Sequence, residues 1–227
     1  MFLKKLKTLN FQALIFAGIL ASTTSFAQNK EEEKVKAAAA VLDDFTGAQQ
    51  NIPAQLLEAS KGIIIIPRMI NAGLLVGGKH GKGLAMVKRE NGEWSDPVFV
   101  TITGGSVGAQ IGVQAVDLVL IFKSDKSLLN IEKGDYTLGS DLSVAAGPVS
   151  KNASATTDYK LEAEVYSYSR SKGLFAGVTV NGAMLDVDTR ANTGLYGSKA
   201  EVKTIFTESN ISSAAVEELR RKLNDFN

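Results

Sequence analysis

Cysteine is absent from all 227 residues. That absence excludes disulfides, zinc thiolates, a cysteine nucleophile and the acylated cysteine that anchors a lipoprotein. Histidine occurs once, as His80, and tryptophan once, as Trp94. One histidine without cysteine cannot build a zinc site, although carboxylates could still hold a hard cation, and no cofactor is expected. A surplus of charge is also missing, with 25 basic against 24 acidic residues, so the clustered positive footprint of a nucleic-acid binder is not there. Beyond residue 27 no run is long enough to span a membrane. The most apolar pieces, Ile63 to Ile66 and Leu118 to Phe122, have strand length.

What is present begins with a charged start, Lys4, Lys5 and Lys7, followed by an apolar centre from Ala13 to Ala21 and then Ser25-Phe26-Ala27. Small residues at the −3 and −1 positions complete the order that a signal peptidase reads. A bilayer-spanning helix needs roughly 20 apolar residues, so residues 1–27 are expected to be a signal peptide cleaved after Ala27. The mature chain would start at Gln28 and work in the periplasm or as a secreted protein. Cleavage removes three lysines and no acid, leaving 22 basic against 24 acidic residues and a net charge of about −2. Residues 28–227 fit one domain, and no internal repeat or linker divides them.

Val35, Ala38, Ala39, Leu42 and Phe45 recur at helical spacing behind Glu31, Glu32 and Glu33, which suit a helix N-terminus. A second helix is expected between Pro53 and Gly62, and the strand Gly62 to Pro67 follows. Short apolar runs then alternate with glycine: Leu74 to Val76, Leu84 to Val87, Val98 to Thr103 and Val107 to Val113. His80-Gly81, Asn91-Gly92 and Asp96-Pro97 read as the turns between them. Further strands are expected at Val116 to Phe122, Tyr136 to Val144, Leu161 to Ser169 and Leu174 to Leu185. A short helix is expected at Ser124 to Ile131 and a loop at Gly147 to Asp158. Val216, Leu219, Leu223 and Phe226 mark a C-terminal helix. Gly77, Gly78, Gly104, Gly105, Gly108 and Gly112 fall in or beside strands, where glycine weakens a sheet unless it bends sharply. The fold class is therefore α+β. Its sheet is antiparallel and strongly curved, with a barrel as the extreme form, and amphipathic N-terminal helices and a C-terminal helix pack on it.

Three motifs resemble catalytic or ligand-binding signatures and lack their machinery. Gly104-Gly105-Ser106-Val107-Gly108 has the spacing of a nucleophile elbow, yet its flanks read strand and strand, and the lone His80 lies upstream where hydrolases of that type carry histidine downstream. Gly73 to Lys79 approaches a phosphate loop, but His80 stands where a magnesium-binding hydroxyl belongs, and Gly81 and Gly83 oppose the required helix. Asp186-Val187-Asp188 begins like a calcium loop without its glycine or terminal glutamate. Two cation clusters suggest binding. Lys79-His80-Gly81-Lys82 could grip a lipid phosphate at an exposed turn or be an ordinary solvated hairpin. Arg170 and Lys172 precede Leu174-Phe175, a mixture that suits a headgroup and equally protects a sheet edge.

Ordered matches along the chain carry a family resemblance. Gly62-Ile63-Ile64-Ile65-Ile66-Pro67, Ala72-Gly73, Val76-Gly77-Gly78, Gly81-Lys82-Gly83 and Trp94-Ser95-Asp96-Pro97 are similar to the opening of a SYLF domain. Gly104 to Gly112 continues it with Val116-Asp117, Leu138-Gly139, Asp141, Val144 to Pro148, Tyr168 to Gly177 and Leu195-Tyr196-Gly197. The chain from about Val35 onward thus resembles an exported, bacterial-type SYLF member. The resemblance implies lipid binding without catalysis, since the family is known for binding membrane lipids, phosphoinositides in its eukaryotic members, and some fungal relatives bind actin. Eukaryotic members lean on a basic amphipathic N-terminal helix; here Lys30, Lys34 and Lys36 flank an acidic start. The expected partner is an anionic membrane phospholipid reached peripherally, with Lys79, His80, Lys82, Arg170 and Lys172 as candidate contacts. The alternative is a protein-interaction or structural component of the envelope.

Overall fold

The structure is a computed structural model that describes residues 30–45, 52–129, 131, 136–147, 163–171, 174–175, 180–197 and 200–225. The expected signal peptide, Lys172, Phe226 and the expected loop beyond Gly147 lie outside these residues. Helix α1 covers residues 30–45 and buries Val35, Ala38, Leu42 and Phe45 completely, as their spacing requires. Helix α2 (Ala54–Glu58) follows, and then the chain enters two unusually long strands.

Strand β1 runs Gly62–Val87 and β2 runs Val98–Phe122, 26 and 25 residues against a usual five or six. The expectation of several short strands with a turn at His80-Gly81 is overturned. His80 sits inside β1 opposite Thr103, and the ladder continues from Gly62↔Phe122 to Ala85↔Val98 with two register shifts. The Asn91-Gly92 turn does form, with Gly92 at a φ of 86° and its N–H donating to the Arg89 carbonyl. Glycine reads as a strand terminator, but here it lets a paired ribbon fold over, with pairing resumed beyond the register shift between Gly73 and Leu75. The folding over is direct: the Lys88 N–H donates 2.9 Å to the Lys61 carbonyl, joining the two ends of β1. At Gly83 the ribbon's halves touch backbone to backbone, since a Cβ there would lie 2.0 Å from the Ile65 carbonyl oxygen.

The remaining strands are β3 (Tyr136–Thr137), β4 (Val144–Ala146), β5 (Val165–Ser171), β6 (Leu174–Phe175) and β7 (Ala183–Val187). They extend β2 into one seven-stranded sheet with path β3-β7-β2-β5-β4, while β1 adds to β2 and β6 to β5. The sheet curls into a half-barrel. Pairing is antiparallel except between β4 and β5. The single strand expected at Tyr136 to Val144 is two, broken where Gly139 takes a φ of 89° and Thr137 N–H bonds to the Asp141 carboxylate. Residues on β2 decide the attachment: Val100 to Gly104 pair with β7, and Asp117 to Phe122 pair with β5.

Alternation along the strands sends side chains into two cores. Ile63, Ile65, Leu84 and Met86 pack with α1, α2 and the C-terminal helix, while Ile64, Ile66, Ala85 and Val87 pack with α3 (Lys126–Leu129) and α5 (Val202–Thr207). Both faces are covered, which explains four consecutive buried isoleucines. Helix α4 (Thr189–Tyr196) and α5 carry no periodicity that the sequence displayed clearly. What fixes α4 is polar: Asn192, fully buried, accepts from the Phe99 N–H at 2.8 Å and donates to the Phe99 carbonyl at 3.0 Å, pairing like a neighbouring strand.

The C-terminal helix α6 (Ala214–Asp225) packs through Val216, Leu219 and Leu223. It is latched to the β1–β2 connection by Asp96, which is fully buried and accepts from Arg220 Nη2, from Ser209 Oγ at 2.7 Å and from the Ile211 N–H at 2.9 Å. Arg220 Nε also donates to the Trp94 carbonyl, and the Tyr196 hydroxyl donates to the Pro97 carbonyl at 2.6 Å. Trp94-Ser95-Asp96-Pro97 is thus a structural clasp.

Candidate functional site

From Val76 to Gly83 of β1, exposure alternates along the strand. Val76, Gly78, His80 and Lys82 are exposed, whereas Lys79, Gly81 and Gly83 are buried. Period-two geometry therefore splits the candidate cluster: His80 and Lys82 share an outer face, and Lys79 points the opposite way, 3% exposed. Burial lowers the Lys79 ammonium below its ordinary pKa, so it belongs to the interior of the folded ribbon. Beside His80, across Thr103 of β2, stands Met184 of β7, 38% exposed.

Lys82 reaches across the sheet to Asp188, with Nζ 2.8 Å from Oδ2. Asp188 also caps α4 by accepting from the Ala191 N–H at 3.1 Å. Burial pushes the Asp188 carboxyl up, but the Lys82 hydrogen bond, the Ala191 N–H and the charges of Lys82 and Lys34 together hold it below the usual carboxylate range. A depressed folded pKa stabilises the fold above the unfolded value, and that contribution is lost as pH falls through the folded one. Asp188→Asn keeps a good helix cap and removes the titration. Thermal melts of the variant are expected to show a flatter acid limb than wild type.

Arg170 stands on β5, half-buried, with its guanidinium 5.6 Å from the Phe45 ring centroid. It packs against α1 and is not brought together with His80 and Lys82. Helix α1 is itself committed: its apolar face is in the core, Lys36 pairs with Glu33, and Lys34 pairs with Glu31 while lying 5.3 Å from the Phe99 ring. Ser106 lies within continuous β2, so the Gly104 to Gly108 motif has strand on both sides, as its flanks predicted. A polar concavity of about 540 Å³ opens between the β1–β2 connection and α6, lined by Arg89, Trp94, Arg220 and Arg221 among others. Arg89 is held there by the carbonyls of Phe206 and Ser209, and Arg220 by Asp96, so these cations serve the clasp.

Sequence reasoning missed the apolar end of this face. Val76 is 74% exposed and Val113 76%, with Ile70 41%. The signal was available in the alternation of Val76, Gly78, His80 and Lys82, once the glycines are read as strand.

The whole-chain comparisons agree on one family. A family profile described as "Ysc84: Las17-binding protein actin regulator" matches residues 103–226. The chain is 38% identical over 181 residues to the SH3 domain-containing protein PJ696.02 of Schizosaccharomyces pombe, covering 78% of this chain and 42% of that protein. It is 33% identical over 200 residues to LAS seventeen-binding protein 3 of Saccharomyces cerevisiae, covering 87% and 43%. Human SH3 domain-containing YSC84-like protein 1 is 32% identical over 202 residues, covering 86% and 59%. The chain thus spans roughly two to three fifths of the length of these relatives, none of which is named for a catalytic activity. The profile takes in β2 from Thr103 onward, the later strands and α6, the relatives match 78–87% of the chain, and the chain belongs to the Ysc84 family, the SYLF family its motifs resemble.

Proposed function

We propose that this chain is a non-enzymatic module that docks peripherally on anionic phospholipid in the cell envelope, after export directed by residues 1–27. The observation that carries the reading is the outer face of β1, which grades from the basic residues Lys82 and His80 to an exposed apolar residue at Val76. A lipid interface presents phosphate and then hydrocarbon in the same order. Each basic residue near an anionic surface contributes about 1 kcal/mol, roughly a fivefold change in affinity, so docking is weak and sensitive to salt.

Sedimentation with phosphatidylglycerol vesicles tests this reading. His80→Ala combined with Lys82→Ala is expected to weaken binding several-fold. Asp188→Asn is expected to strengthen it, because the ion pair that occupies Lys82 is removed while the helix cap stays. Unchanged binding in both variants would move the site elsewhere.

A protein partner is the second reading, favoured by the relatives named for binding LAS seventeen and by the family's description as an actin regulator. Export separates the chain from cytosolic actin unless it is delivered into another cell. Co-sedimentation with actin filaments in the absence of lipid, together with no vesicle binding, would favour that reading.

A further inference from the structure

We propose that the distal end of the β1–β2 ribbon, carrying Val76 and Val113, enters the acyl region of a phospholipid bilayer; this rests on the lipid reading above. The sequence has no charged residue from Met69 to Gly78 or from Val98 to Val116. The register brings these two stretches together, with Ile70 opposite Ala115, Ala72 opposite Val113 and Val76 opposite Val107. The end of the ribbon also projects beyond the sheet. On β2, pairing with β7 stops at Gly104 and pairing with β5 starts at Asp117, so among the described residues no strand but β1 pairs within 105–116, although Ser171 at the end of β5 donates its hydroxyl to the Ala115 carbonyl at 3.1 Å.

Water is a poor environment for such an end. A two-stranded ribbon is marginal on its own, and this one leaves Val76, Val113 and Ile70 substantially uncovered. A tight corner gives it form: a Cβ on Gly77 would lie 2.1 Å from the Ala72 carbonyl oxygen and 2.4 Å from Gly73 Cα. Both arms of β1 then turn cationic away from the end. Exposed Arg68 stands two residues behind Ile70, and exposed His80 and Lys82 stand four and six residues behind Val76. At roughly 3.3 Å per residue, Lys82 lies within about 20 Å of Val76 along the strand, placing positive charge behind the apolar end as anionic phosphates lie behind acyl chains.

The same geometry limits depth. Open ribbon edges carry unpaired backbone groups that hydrocarbon does not tolerate, so the end stops at the boundary between headgroups and chains and does not span. A second copy is the weaker occupant. The three exposed aliphatic side chains described there fall well short of the roughly 800 Å² per partner that a stable interface buries.

The absence of native cysteine makes the test clean. Val76→Cys and Val113→Cys, each labelled with an environment-sensitive fluorophore, are expected to brighten and shift to the blue on adding phosphatidylglycerol vesicles. A label at Glu208→Cys, exposed after α5, is expected to stay aqueous. Val76→Asp with Val113→Asp is expected to lower vesicle binding at least tenfold with an unchanged melting temperature. Protein that sediments with vesicles while both labels stay aqueous overturns the insertion and leaves the lipid reading standing. No sedimentation removes the lipid reading itself. Disulfide dimers of Val76→Cys that form without lipid, with no label shift, would assign the surface to self-association instead.

Discussion

Asp96→Ala is expected to destabilise the fold by about 3–5 kcal/mol, the usual cost of removing one partner from a buried ion pair. The size follows from what is left behind. Arg220 would keep a guanidinium whose side chain is only 14% exposed, and the Ile211 N–H and Ser209 hydroxyl would lose their acceptor. For a chain of this length each kcal/mol moves the melting temperature by roughly 2–4 °C, so the drop should be plain in a thermal melt. Arg220→Met added to Asp96→Ala should recover part of the loss, because no uncompensated charge remains. If the single variant melts like wild type, the clasp is not what holds α6 to the sheet.

Gly83→Val is the second large effect, expected at about 3 kcal/mol or more. Overpacking typically costs 1–3 kcal/mol when side chains can yield, but the Gly83 neighbours are the Ile65 carbonyl oxygen at 2.0 Å and Ile66 Cα at 2.8 Å, both backbone. Separating them means opening the fold of the ribbon. Gly105→Ala is the control, since a Cβ there meets nothing within 4 Å, and its effect should stay within about 0.5 kcal/mol. Equal stability of the two variants would contradict the backbone contact on which the doubled ribbon rests.

The contrast between Gly83 and Gly105 also shows what was legible from the residues alone. Helices α1 and α6 were readable because Val35, Ala38, Leu42 and Phe45, and later Val216, Leu219 and Leu223, are spaced for one face. The curved α+β class was readable because so many glycines fall among β-forming residues. Strand continuity was not, because Gly77, Gly78, Gly81 and Gly83 have the local composition of turns and become strand only through pairing with β2, which is distant in sequence. Helix α4 was hidden for a similar reason: its anchor is the Asn192 amide on Phe99, a polar contact with no periodic signature. The candidate site was half visible. Lys79 and Lys82 stood out as cations flanking His80, yet period two decides which of the three face out, and the wrong local structure concealed it. Arg170 had no sequence signal for its place over Phe45.

On the proposed reading, export and lipid docking form one account, in which the chain would reach an anionic membrane by a surface of its own fold. Helix α1 has its apolar face in the core, so in that account the role would fall to the β1–β2 ribbon. Flotation of the purified protein with anionic and with neutral phospholipid vesicles, each at low and at high salt, tests this most directly. The account predicts co-migration with anionic vesicles at low salt, much weaker co-migration at high salt, and little with neutral vesicles. Protein that stays at the bottom of the gradient under every condition would contradict it.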